Sequence, residues 1–177
     1  MDQNQINQFT TNLIIENKRM RNFPSLSEIF IAEPKMVSGL IFLLNEENKY
    51  PFPEYSSWLI THIARKKKEI LLPYYKDLID HLLKVNSQSV RRNLLGAINC
   101  FSLNEYEESA LLDKLILWIS NPISKPAVIM YSIEKLEQFC IKYPEIRIEI
   151  EAILNLKDNN EIGPAVKVAK RKFLYGK

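Results

Sequence analysis

The feature that most constrains this chain is a 38-residue echo in its second half. Val90, Val128 and Val166 fall in one column of it, and Ile98, Leu136 and Leu174 in another. Tyr74, Leu112 and Ile150 form a third column, and Leu78, Ile116 and Leu154 a fourth. Columns this widely spaced stay apolar when each copy folds into the same unit and buries the same face. A period of about 40 residues with helical patterning in each copy predicts an all-α superhelix of stacked antiparallel helix pairs, an α-solenoid. The 177 residues give room for about four such pairs, or one ordinary domain.

Composition narrows the alternatives. Only four glycines in the chain argue against a loop-rich or all-β fold, and 46% apolar with 25% charged residues argues against disorder. A formal charge of +3 permits an anionic partner without demanding one. Cys100 and Cys140 both fall inside helical patterns. Two isolated thiols fit a reducing compartment, where they serve as small buried hydrophobes rather than as a disulfide framework. The opening Met-Asp-Gln-Asn-Gln has neither the basic start nor the apolar core of a signal peptide. The apolar runs 40–44 and 115–119 are too short to cross a bilayer. A soluble, cytoplasmic protein with no membrane partner is expected.

Along the chain, Ile6, Phe9, Leu13 and Ile14 predict an opening helix that ends near Arg19. Ser25 and Glu28 read as a capping box ahead of Ile29, Phe30 and Ile31. A helix over 35–46 buries Val37, Leu40, Ile41 and Leu44, and 48–53, with Pro51 and Pro53, reads as a stiff connector outside any helix. Regular helices are then predicted over 54–65, 73–85, 88–102, 105–120, 125–142, 144–156 and 163–174. Pro73 belongs in the first turn of the second of these. Glu105, Glu107 and Glu108 complement the dipole at the start of the fourth. In domain terms, 1–50 form N-terminal capping helices and 51–177 the repeats, all within a single compact domain.

The stretch Val90-Arg91-Arg92-Asn93-Leu94-Leu95-Gly96-Ala97-Ile98 resembles the second helix of a HEAT repeat. Pro126-Ala127-Val128 and Pro164-Ala165-Val166-Lys167 are similar to the same position in later repeats, and the resemblance covers about residues 54–174. The basic residue after the valine is Arg91 or Lys167 in two copies and Ile129 in the middle one. The aspartate ladder that often accompanies that arginine in the family is not evident. The resemblance implies a binding scaffold whose second helices line the concave surface. A smaller branch of HEAT-like proteins excises damaged bases from DNA.

Residues that carry chemistry are few. His62 and His81 match no metal spacing, and neither a nucleophile elbow, a phosphate-cradling glycine loop nor a C-x-x-C pair occurs. No catalytic, cofactor-binding or metal-binding residue is nominated, and no cofactor is expected. The run Arg65-Lys66-Lys67-Lys68 would suit a phosphate backbone, yet lysines at a helix end also offset the dipole. Lys167, Lys170, Arg171, Lys172 and Lys177 follow the last acid, Glu161. They too fit either a phosphate or the polar outer face a terminal helix needs. Trp118 shares an apolar stripe with Leu111, Leu112 and Leu115 and reads as core, whereas Trp58 falls in a column that is not core-like.

The 38-residue register places Arg92, Gly96 and Asn99 on the outward side of one second helix. Met130, Glu134 and Glu137 are their equivalents in the next, followed by Val168 and Lys172, with Trp58, Thr61 and Arg65 upstream. This ridge runs from basic through acidic to basic, which suits a protein surface better than a uniform phosphate track. The expected function is therefore a non-catalytic protein-interaction scaffold with an unidentified protein partner. The alternative is nucleic-acid binding through the basic segments, of which HEAT-like base excision would be an extension.

Overall fold

The structure, a computed structural model, describes residues 1–17, 23–46, 49–158 and 162–176. Two compact units divide it, Met1–Phe101 and Ser102–Lys177. The first contains α1 (Gln3–Asn17), α2 (Phe23–Ala32), α3 (Val37–Leu44), α4 (Phe52–Lys67), α5 (Tyr75–Lys84) and α6 (Gln88–Ile98). The second contains α7 (Glu108–Ser120), α8 (Pro126–Lys142), α9 (Arg147–Asn155) and α10 (Pro164–Tyr175). Short 3₁₀ segments at Pro34–Met36, Lys68–Tyr74 and Pro144–Ile146 lead into α3, α5 and α9. No strand occurs among the described residues, so the all-α fold class is as the periodicity requires.

The echo has a structural meaning. Helices α6, α8 and α10 open at Gln88, Pro126 and Pro164, and the third residue of each is the column valine. Val90, Val128 and Val166 are all buried. Pro126 and Pro164 fit the first turn, where a missing N–H leaves no intrahelical bond unmade. Ser87 caps α6 by accepting from the Val90 amide. At the far end of α10, Gly176 takes the left-handed conformation (φ 67°) that closes many helices.

Within the first unit α2 and α3 pack directly against α4, and α1 packs against α3. The opening helix buries Ile6, Thr10 and Ile14, leaving Phe9 exposed. Thr10 takes the inward place because Gly39 of α3 abuts it. A Cβ on Gly39 would lie 2.3 Å from Thr10 Oγ1, and that hydroxyl donates to the Ile6 carbonyl at 2.8 Å.

Other local readings change. Ser25 and Glu28 lie inside α2, which starts at Phe23, so they form no capping box. Glu28 instead pairs with Lys66 of α4 at 2.5 Å. Helix α4 begins at Phe52 and takes Pro53 into its first turn, shortening the expected connector; the Tyr50–Pro51 peptide is cis. Pro73 sits in the 3₁₀ segment ahead of α5 rather than in the helix. Glu107 has φ 50°, a left-handed conformation that delays α7 to Glu108, leaving one acid in its first turn instead of three. The expected helix end at Arg19 lies outside the described residues.

Candidate partner-binding ridge

In the first unit the second-helix face is built on the seam between α4 and α6. Asn93 is buried there, and its Nδ2 donates to Ser57 Oγ at 3.0 Å and to the Glu54 carbonyl at 3.3 Å. Ser57 passes its own proton to the Glu54 carbonyl at 2.9 Å. Thr61 Oγ1 lies 2.7 Å from the Asn93 carbonyl and 2.8 Å from the Ser57 carbonyl, serving one of them at a time with its single proton. Buried polar groups require such partners, and here they cross-link two helices of the stack.

This seam corrects part of the outward column. Thr61 does not face solvent: it is 5% exposed, and its hydroxyl is drawn into the seam by the Asn93 carbonyl. Gly96 is buried as well. Asn99 is half-buried at the C-cap of α6. Arg92 is exposed, and its guanidinium donates twice to Asn93 Oδ1, at 3.1 and 3.0 Å. Arg65 is exposed in the last turn of α4. Trp58 is half-buried, with its ring 5.7 Å from His62 and 6.4 Å from Tyr55, and Tyr50 extends that aromatic run to solvent. Burial, with Arg65 and Lys66 nearby, lowers the His62 pKa below its ordinary 6.5.

The second unit brings its nominated residues together. Met130, Glu134 and Glu137 of α8 face Val168 and Lys172 of α10 across a groove of about 290 Å³, floored by Ile133 and Ala169. Lys172 Nζ bonds Glu137 at 3.3 Å across this groove. Val168 is exposed, and Met130, Glu134 and Glu137 are half-buried. The arrangement offers an apolar floor with acidic and basic rims.

Elsewhere, Lys66 of the basic run is engaged within its own unit, by Glu28 and by Ser27 Oγ at 3.1 Å. Arg65 and Lys67 close α4, where cations complement the carbonyl end of the helix. Trp118 is core. Cys140 is buried, which pushes its thiol pKa up, and neither cysteine is in a disulfide. Among the described residues no cluster of His, Cys, Asp and Glu could hold a metal ion, and no helix is long and apolar enough to cross a membrane.

A family model for the HEAT repeat domain matches residues 17–177. The chain belongs to the HEAT repeat family. Neither a curated protein nor a solved structure gave a match. HEAT repeats commonly mediate protein–protein interaction, and proteins of this family are generally non-catalytic scaffolds. Within this HEAT chain, Asn93 with Ser57 and Thr61 supplies the contact between neighbouring second helices. Arg91, the residue after the column valine, turns back instead to the Val85 carbonyl at 2.6 Å. Asn93 was not singled out by the periodicity. The signal available was the pair Ser57 and Thr61, one turn apart on the facing helix.

Proposed function

We propose that this HEAT protein is a non-catalytic interaction scaffold in a soluble, cytoplasmic setting, and that a protein partner docks on the second-helix ridge. The observation that carries this reading is the α8–α10 groove. Its lining by Met130, Ile133, Val168 and Ala169 is apolar, while Glu134, Glu137 and Lys172 place both signs of charge around it. Mixed rims around an apolar centre are what protein interfaces present, whereas a phosphate track would be cationic along its length. On the first unit, taken by itself, Trp58, Arg65, Arg92 and Asn99 are the candidate contacts, and Thr61 supports that face from beneath.

The test is an affinity pulldown from native lysate, with and without nuclease, comparing the natural chain with a Met130→Glu, Val168→Glu double variant. A protein retained in both nuclease lanes and lost in the variant supports the reading. Retention by the variant removes the groove from it. Recovery that vanishes with nuclease replaces it with nucleic-acid binding.

A further inference from the structure

The last helix of the second unit borders a second cleft, which among the described residues shares only Val168 with the ridge groove. This cleft, of about 710 Å³, lies between the end of α9 and the length of α10. Lys157, Lys167, Lys170 and Arg171 line it, with Asp158 the acid among the described lining residues and Tyr175 at one side. A volume in this range is that of a small-molecule site, and its charge is strongly one-sided.

Three observations argue against a merely solvated helix face. First, the cations border a concavity, and Lys170 is only 8% exposed. Its Nζ donates to the Lys157 carbonyl at 2.8 Å, which fixes the ammonium at the cleft wall. Second, Lys157, Lys167 and Arg171 make no side-chain hydrogen bond or ion pair among the described residues, unlike Lys66, Lys142 and Lys172. Third, Lys167 is the fourth residue of α10, whose first turn holds no acid. A cation at that end opposes the helix dipole, so local helix energetics do not explain it. Lys157, just past the end of α9, does complement that helix's dipole, but burial and the neighbouring Lys170 charge both lower its pKa. Like charges gathered in a recess repel, and a bound anion relieves that repulsion.

We propose that this cleft binds a phosphorylated small molecule, with Lys157, Lys167 and Arg171 holding the phosphate and the Tyr175 side forming the wall for the organic part. Guanidinium and ammonium groups together suit this ligand: Arg171 offers a planar fork to two phosphate oxygens, and the lysines act as point charges. The inference does not depend on the protein-docking ridge.

Isothermal titration calorimetry of the full chain with inorganic phosphate, inorganic pyrophosphate and a nucleoside diphosphate tests it. A single-stranded oligonucleotide serves as a fourth titrant. Saturable one-to-one binding of at least one of the three small probes is expected. It should weaken at least about tenfold in a Lys167→Gln, Arg171→Gln variant and stay unchanged in Lys84→Gln. Phosphate or pyrophosphate binding alone would assign the site to a free anion, and a gain with the nucleoside to an organic phosphate. Both substituted residues are exposed, so the variant should keep its circular dichroism spectrum and melting temperature. A destabilised double variant would be replaced by Arg171→Gln alone, with the same expected direction. Absence of saturable binding in the natural chain, or equal binding in the variant, would overturn the proposal. So would tighter, length-dependent binding of the oligonucleotide, which would assign this face to nucleic acid.

Discussion

Asn93 Nδ2 stands 3.0 Å from Ser57 Oγ, and this hydrogen bond joins α6 to α4 where the two helices pack. The Asn93 carboxamide is buried and serves three partners, Ser57, Glu54 and the Arg92 guanidinium. Asn93→Ala should therefore lower unfolding free energy by about 1–3 kcal/mol, the usual range for removing a buried hydrogen-bonding group. Arg92 loses its acceptor too, but it is exposed and returns to water. A double-mutant cycle with Ser57→Ala, read from urea midpoints, should give a coupling of about 0.5–1.5 kcal/mol. Strict additivity would mean that the contact contributes nothing of its own.

Residues sharing a sequence column do not share an energy. Leu136 is fully buried while Leu174, its equivalent near the end of the last helix, is half-buried. Leu136→Ala should destabilise by about 2–5 kcal/mol through lost burial and a residual cavity. Leu174→Ala should cost about 1 kcal/mol, since its methyl groups already meet water in part. Equal losses in thermal or chemical denaturation would mean that the final repeat is packed as fully as the middle one.

The sequence carried the helices and their spacing better than it carried their faces. Val90, Val128 and Val166 mark the third residue of three successive second helices, because an apolar residue there is needed each time. The groove residues of α8 and α10 were legible for the same reason: the outward column is simply what the buried column leaves. Thr61 and Gly96 broke the rule. A threonine on a helix looks outward-facing in any hydropathy pattern, and only the Asn93 carbonyl opposite explains why it turns in. Lys135 is the extreme case, fully buried on α8 with its ammonium 3.0 Å from Gln138 Oε1. Position i+3 from buried Ser132 puts it on the inner face, yet its residue type argues the reverse. The cleft beside α10 was visible only as a run of charge, since convergence of Lys157 with Lys167 depends on how α9 and α10 close on each other.

A pH prediction follows from the start of α7. Glu108 accepts from Lys142 Nζ at 2.8 and 3.0 Å and from the Tyr143 hydroxyl at 3.2 Å. The hydrogen bond to Glu108, then that to Tyr143, holds the Lys142 pKa above its ordinary 10.5. The folded state therefore binds this proton more tightly than the unfolded state. The contribution is complete below pH 10.5 and is lost as pH rises through the higher folded value. Glu108→Gln should remove the part of this contribution that Glu108 supplies below pH 10.5, and so flatten the alkaline part of the stability profile. Stability curves of the two proteins that stay parallel through the alkaline range would show that the cluster does not couple to folding.

The N-terminal helices make the largest structural prediction. Helices α2 and α3 pack against α4, which buries Leu59, Ile60 and Ile63 completely. Phe30 and Leu40, from the covering helices, are themselves fully buried. Each large apolar side chain uncovered forfeits about 1.5–3 kcal/mol of burial, and a contiguous exposed patch favours association. Deleting residues 1–50 should thus yield a fragment that aggregates or precipitates, as seen by light scattering, with reduced helical signal in whatever stays in solution. A half-way result is informative as well: helical signal retained in a soluble oligomer would mean that copies cover one another's exposed α4. A monomeric, fully helical fragment would refute the capping role, because α4 would then be holding its structure with its inner side chains in water.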